Sequence, residues 1–252
     1  MDKKTILITG ASGGIGQAVV KHFSSLGWRV LGVDKNPYPG TFPGDGEMIQ
    51  ADVSLPRDWK KIGDEVGRIT NDLDALINNA ALQITKPILE TSLEEWDAVF
   101  DANLRAVFLA AKTFHPYLKN NEGGAIVNVS SVHAIATSKD IATYAASKGG
   151  MVSLTRSMAI EFASDDIRVN AILPGAVDTT MLREGMNRGH AGQGSIQRRL
   201  ENLASNTVSG KIGQPEEIAR AIYFLADKTQ SSFMTGQTLV IDGGATAKLS
   251  TE

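Results

Sequence analysis

Short apolar, β-branched runs alternate with longer stretches whose apolar residues recur at helical spacing, and the alternation repeats along most of the chain. TILIT (5–9) predicts the first strand. GIGQAVVKHFSSLG (14–27) predicts a helix, with Ile15, Val19, Val20 and Phe23 supplying apolar positions and a glycine as the stop. WRVLGVD (28–34) is the second predicted strand, and EMIQAD (47–52), LDALINNA (73–80), GAIVNVSS (124–131), IRVNAILPG (167–175) and TLVIDGG (238–244) continue the series. Helices are expected between them at about 55–70, 92–119, 142–163 and 215–226. Strand runs this apolar need cover on both faces, which points to an α/β protein with a doubly wound, Rossmann-type parallel sheet of seven strands. Neither a linker nor an internal repeat breaks the pattern, so residues 1–252 are expected to form a single domain.

Two stretches depart from the rhythm. KNPYPGTFPGDG (35–46) carries three prolines and three glycines where a βαβ unit would place a helix, and it predicts a surface loop. Residues 179–213 form a long excursion, partly helical, with GHAGQG as a hinge; such excursions tend to be lids or binding loops, and a substrate lid is expected here.

Composition narrows the function classes without choosing one. A net charge of −3 leaves no electrostatic footprint for nucleic acid or an anionic membrane. The chain has no cysteine, which excludes disulfides, a thiolate nucleophile and cysteine zinc sites, and no metal site is expected. The N-terminal run has only three consecutive apolar residues, Ile6 to Ile8, and no segment approaches a membrane span, so a cytoplasmic protein is expected.

Candidate chemistry begins at TGASGGIG (9–16), between the first strand and the first helix. Glycines there let a phosphate approach the backbone, and a helix N-terminus offers free N–H groups; the glycines alone would mark only a tight turn. Asp34 ends the second strand about twenty residues on, where a carboxylate can accept hydrogen bonds from an adenosine ribose and repels a 2′-phosphate, favouring NAD over NADP; its alternative reading is a turn cap before Asn36-Pro37. In ATYAASKGG (142–150), Tyr144 and Lys148 are four apart and share a helix face. A cation beside a phenol lowers its pKa, so the pair suits acid/base work.

Several separated segments together resemble the short-chain dehydrogenase/reductase family, from one end of the chain to the other. TGASGGIG is similar to its T-G-x-x-x-G-x-G motif, NNAA (78–81) to its N-N-A-G, SS (130–131) to its serine at a strand end, YAASK to its Y-x-x-x-K and PGAVDT (174–179) to its P-G-x-x-x-T; residues 213–244 look like its C-terminal block. The resemblance implies Ser131, thirteen residues before Tyr144, as the serine that hydrogen-bonds the substrate oxygen, Tyr144 as the proton donor or acceptor, Lys148 as the ligand of the nicotinamide ribose that lowers the phenol pKa, and Asn103 as the completion of a proton relay through water. It implies cofactor contacts at Gly10, Ser12, Gly14, Ile15, Gly16, Asp34, Asp52, Val53, Asn79, Ala80, Pro174, Gly175, Val177 and Thr179. Ala81 stands where the family has glycine, so its backbone must avoid positive φ or carry strain.

The substrate is less determined. His133, Ser138 and Lys139 near the serine and tyrosine, and Arg183, Arg188, His190, Arg198 and Arg199 in the excursion, point to a small polar or anionic substrate such as a sugar, polyol or hydroxy acid. The expected activity is NAD-dependent interconversion of a secondary alcohol and a ketone. Its alternatives are a 3-oxoacyl thioester reductase using NADPH, and a catalytically silent NAD-sensing or scaffold protein. The apolar residues on more than one face of the Tyr144 helix, and the family resemblance, predict a homo-oligomer, a tetramer through this helix and helix 92–119. Gly149 and Gly150 read as close packing of the same helix.

Overall fold

The computed structural model describes residues 3–120, 123–187 and 195–248. Seven strands form one parallel sheet: β1 (Thr5–Thr9), β2 (Arg29–Asp34), β3 (Glu47–Gln50), β4 (Ala75–Asn78), β5 (Ala125–Val129), β6 (Arg168–Pro174) and β7 (Thr238–Ile241), in the spatial order β3-β2-β1-β4-β5-β6-β7. The expected fold is thus the observed one. Each strand sits inside its predicted run, trimmed by up to three residues at an end. The ladders pair Ile6 with Val30 on one side of β1 and with Ala75 on the other.

Alternate side chains along the central strands enter opposite cores. Leu7, Leu31, Val33, Leu76 and Ile126 pack under α2 (Asp58–Ile69), α4 (Ala106–Lys119) and α5 (Ala142–Glu161), with Trp59, Phe114 and Met151 closing that face. Ile6, Ile8, Val30, Ile77 and Val127 pack under α1 (Gly14–Ser25) and α8 (Pro215–Ala226), against Val19, Phe23, Ile218 and Ile222.

Two expectations need revision. The helix predicted over 92–119 is α3 (Leu93–Phe100) and α4 joined by a π turn, Asp101–Arg105. Ser92 caps α3 in a capping box with Glu95, so the start was legible and the bulge was not. The 35–46 segment has no helix, as expected, yet it is more than surface: Tyr38 and Phe42 meet edge to face, 4.8 Å between centroids, and pack on the α1–α8 core. Without a helix over β2, those two rings supply the cover. Gly32 leaves the room they need, since a Cβ there would lie 2.9 Å from the Phe42 ring.

A buried polar chain stitches the sheet to α5. Asn78 Nδ2 donates to Asn128 Oδ1 (2.8 Å), Asn128 Nδ2 to Thr155 Oγ1 (2.9 Å), and the Thr155 hydroxyl to the Met151 carbonyl (2.8 Å). Replacing Thr155 by Val keeps the shape but strands a buried amide donor, and Thr155→Val is expected to cost about 1–3 kcal/mol in urea unfolding. Thr155→Ser, which keeps the hydroxyl, should lose less; equal losses would remove the hydrogen bond as the cause.

Candidate active site

The chain reverses its winding direction between β1 and β4, and the crevice beyond their C-terminal ends collects the glycine turn. The Thr9 hydroxyl accepts from the backbone N–H groups of Asn79 and Ala80, both at 3.1 Å, and Asn79 Nδ2 donates to the carbonyls of Thr9 and Gly10. Gly10 adopts φ +69°, and a Cβ on it would lie 2.8 Å from the Ala80 Cα. A Cβ on Gly16 would collide with the Gly10 carbonyl, and one on Gly14 would lie 2.8 Å from the Thr179 methyl. Gly10, Gly14, Asn79, Ala80 and Thr179 therefore meet at one place, with the start of α1 behind them. Its N-cap, Gly13, offers no side chain to the first N–H groups, so these donors remain for a ligand. Ile15 lies partly buried against the core and Gly16 is buried, so they shape the turn from behind.

Asp34 caps the turn after β2, the alternative reading of its position. Oδ2 accepts from the Ser12 N–H (3.1 Å), Oδ1 from the Asn36 N–H (2.9 Å), and the Ser12 hydroxyl donates to the Asn36 carbonyl. The carboxylate thus ties the glycine turn to the end of β2 while remaining partly exposed at its edge. Asp52 and Val53 follow β3, where Asp52 accepts from Ser54 and the Val53 carbonyl accepts from the Trp59 indole. Pro174 ends β6; Gly175 donates to the Ile241 carbonyl, and Val177 bridges to Gly213. Free helix N–H groups, a cradle that a Cβ would fill and a carboxylate at the second strand end fit a dinucleotide. Among the described residues, no group of three or more His, Asp or Glu could hold a metal ion.

Ser131, Tyr144 and Lys148 are brought together at the end of β5. Ser131 caps a short 3₁₀ turn (Val132–Ala134), its hydroxyl accepting from the His133 N–H at 3.2 Å. Tyr144 and Lys148 are 7 % and 1 % exposed, and the Lys148 ammonium lies 5.5 Å from the centre of the Tyr144 ring while donating to the Val129 carbonyl at 2.7 Å. Burial pushes the phenol up to about 12, opposed by a hydrogen bond with Ser131, and burial alone brings Lys148 down to about 7. This corrects the expectation that the lysine lowers the phenol pKa: here the cation faces the ring, and desolvation outweighs it.

Asn103 sits in the π turn, fully buried. Its Oδ1 accepts from the Leu82 N–H (2.7 Å), and Nδ2 donates to the Leu82 carbonyl (2.9 Å) and to Ser147 Oγ (3.0 Å). The Ser147 hydroxyl in turn donates to the Tyr144 carbonyl (2.7 Å). The Asn103 side chain thus clamps the segment after β4 to the helix that carries Tyr144 and Lys148. Ser147 stands inside the YAASK motif and went unassigned, because nothing in its spacing announces a partner in the π turn.

The substrate candidates scatter. His133 lies beside Tyr144, ring centroids 6.0 Å apart and edge to face. Ser138 and Lys139 are exposed. Arg183, on α6 (Thr180–Asn187), is 47 % exposed and held by Asp178 through two hydrogen bonds of 2.8 and 2.9 Å, so its charge is matched. Arg198 is exposed at the start of α7 (Ile196–Ser205), and Arg199 donates to the Met186 carbonyl, tying α7 to α6. Arg188, His190 and the GHAGQG hinge lie outside the described residues. Gln83 is a polar residue that sequence reasoning passed over; a Cβ on Gly185 of α6 would lie 3.1 Å from its Nε2. Ala81 avoids positive φ, so its substitution for glycine carries no backbone strain. A Cβ on Gly150 would lie 3.1 Å from the Leu104 side chain, the close packing expected, whereas one on Gly149 would meet only the Ala134 carbonyl at 4.0 Å outside its own helix.

The Lys148 shift has a thermodynamic consequence. Its folded-state pKa, about 7, lies below the usual 10.5, so between those values the unfolded chain holds a proton the folded chain has released, and stability rises with pH. Tyr144 acts in the opposite sense only above pH 10. Lys148→Met is expected to flatten the urea-unfolding stability between pH 7 and 9.5; a wild-type slope in the variant would show that Lys148 is not its source.

Known proteins align with this arrangement along almost its whole length. The family described as enoyl-(acyl carrier protein) reductase matches residues 10–246. The 3-oxoacyl-[acyl-carrier-protein] reductase FabG of Thermotoga maritima is 33 % identical, covering 97 % of this chain and 98 % of the relative. The ligand-free aldohexose dehydrogenase of Thermoplasma acidophilum superposes with a TM-score of 0.91 at 31 % identity, over 98 % of this chain and 96 % of that one. A 4-hydroxyisoleucine dehydrogenase complexed with NADH superposes with a TM-score of 0.83 at 30 % identity, over 98 % and 100 %. With the winding, the glycine turn and the serine, tyrosine and lysine in the expected order, the chain belongs to the short-chain dehydrogenase/reductase family of oxidoreductases.

Proposed function

We propose that this protein is an NAD-dependent dehydrogenase that interconverts a secondary alcohol and its ketone on a small polar substrate. The observation that carries the reading is the gathering of Ser131, Tyr144 and Lys148, all buried, beside the crevice where the glycine turn meets Asn79 and Thr179. A nicotinamide cofactor, when bound, supplies hydride transfer, which leaves this chain one proton to move and two partners to orient. Tyr144 exchanges that proton at its hydroxyl. Ser131, whose oxygen accepts from the His133 N–H and whose hydroxyl hydrogen-bonds Tyr144, turns that hydroxyl to the substrate oxygen when substrate binds. Lys148 binds the nicotinamide ribose. Asn103 and Ser147 position Tyr144 without touching substrate. Gly10, Ser12 and Gly14 receive the pyrophosphate, with Gly16 shaping the turn behind them, and Asp34 receives the adenosine ribose.

Asp34 supports NAD, since its carboxylate would repel a 2′-phosphate. A 3-oxoacyl thioester reductase has the FabG relative in its favour and Asp34 against it. A silent nucleotide sensor would have no use for the three intact side chains. The apolar groove between the π turn, α4 and α5, about 390 Å³ and lined by Phe100, Leu104, Phe108, Gly150 and Leu154, supports a homo-oligomer, and we read the assembly as a cytoplasmic tetramer. No helix of the described residues is long and apolar enough to cross a membrane.

Tyr144→Phe is expected to lower kcat at least about a hundredfold, the weight of lost general acid/base catalysis, while leaving the Kd for NADH within a few fold. Unchanged turnover would remove Tyr144 from the mechanism. NADH is expected to bind at least tenfold more tightly than NADPH by fluorescence titration, on the order of the 1.4 kcal/mol that tenfold represents. The reverse order would favour the reductase reading.

A further inference from the structure

Three segments enclose the mouth in front of Tyr144: residues 79–86 after β4, residues 131–141 ahead of α5, and α6. The first two are joined where the Lys86 N–H donates to the Asp140 carbonyl at 2.7 Å, and α6 leans on the first at Gln83. The cations on these walls are matched from outside, Lys86 by Glu95 (2.9 Å) and Arg183 by Asp178 (2.8 Å), while Lys139 is exposed on its loop. Apart from Lys148, the described side chain that a ring contact places against Tyr144 is His133. His133 sits edge-on to the Tyr144 ring, and burial lowers its pKa, so the imidazole is neutral near pH 7. Its Nδ1 engages the Thr137 hydroxyl at 3.1 Å, and Nε2 makes no hydrogen bond among the described residues. Whichever tautomer Thr137 selects, Nε2 offers one donor or one acceptor next to the reaction centre. Gln83, on the 79–86 segment, keeps donor and acceptor capacity beyond its one hydrogen bond among the described residues, from Nε2 to Thr85 Oγ1 at 3.5 Å.

We infer that His133, with Gln83 across the mouth, reads an uncharged oxygen on the carbon next to the reacting one, so that vicinal diols, 2-hydroxy ketones or sugars are the preferred substrates over monofunctional alcohols and hydroxy acids. The inference rests on the dehydrogenase reading and narrows its substrate. A site built around a hydrogen bond rejects the analogue that lacks the partner, and a neutral bond is worth about tenfold.

The test uses the full chain with NAD and three four-carbon substrates: butane-2,3-diol, butan-2-ol and 3-hydroxybutanoate. Wild type is expected to show kcat/KM for the diol about tenfold above the other two. His133→Phe keeps a ring against Tyr144 and removes both nitrogens; it should lower kcat/KM for the diol about tenfold and leave butan-2-ol within about twofold. Gln83→Leu, on a separate segment from the tyrosine helix, gives the same comparison should the first variant fail to fold, with NADH binding as the control for both. Three results would overturn the inference and spare the dehydrogenase reading: no wild-type preference for the diol, a preference for the hydroxy acid, or variants that slow diol and mono-alcohol alike. No turnover of any of the three by wild type that binds NADH would overturn both.

Discussion

A helix that buries Tyr144, Ser147, Lys148 and Thr155 must find a partner for every polar atom it buries, because an unpaired one costs more than the hydrogen bond it forgoes. Much of the site is the solution to that constraint. Lys148 takes the Val129 carbonyl at the end of β5, and Ser130 next to it donates back to the Lys148 carbonyl at 2.9 Å. Thr155 takes Asn128 from the same strand. Ser147 faces the other way, toward the helical run that precedes α4, and there the regular α-helix gives way: the π turn places Asn103 where its amide meets both Ser147 and the Leu82 backbone. π turns inside helices recur at functional sites for this reason, since one extra residue re-aims a side chain without ending the helix.

That clamp has a consequence for the chemistry. Leu82 follows the Asn79–Ala80 pair at the chain's reversal point, so Asn103 links the crevice that fits a dinucleotide to the helix that carries Tyr144. Buried, fully hydrogen-bonded side chains of that kind hold two elements at a fixed spacing, which is the condition for orientation to contribute to rate in the proposed reaction.

The strands and most helices were legible because their signal is local. A parallel sheet covered on both faces needs uninterrupted apolar runs, and TILIT, ALIN and AIVNV declare themselves in five residues or fewer. The Tyr144–Lys148 pair was legible through helical spacing, and the resemblance to the family's motifs added Ser131 beyond the preceding strand. The π turn was not, because Asn103 reads as a polar residue inside a helix until Ser147 and Leu82 are seen beside it. The 35–46 loop misled in a similar way: prolines and glycines announce the lost helix, but nothing local says that Tyr38 and Phe42 fold back over Gly32. The acidity of Tyr144 was misjudged for an energetic reason. The i,i+4 pattern counts the charge of Lys148 and not the burial that pushes both groups toward their neutral forms.

The substrate mouth is hardest to read from sequence because its walls belong to no common element. Arg183 looked like a ligand for an anion and is spent on Asp178, five residues earlier; only the fold of α6 back along its own start reveals this. The join between the other two walls depends on one backbone feature. Asp140 adopts φ +63°, a left-handed conformation that aspartate tolerates better than most residues, and its carbonyl thereby accepts the Lys86 N–H. Four residues later the chain reaches Tyr144. The turn that starts the catalytic helix is therefore the same turn that holds the 79–86 segment against it, so a change in the shape of the mouth must also move the tyrosine or break that bond. Specificity in such a site evolves most easily at side chains that lean on this frame without forming it, and His133 and Gln83 are residues of that kind.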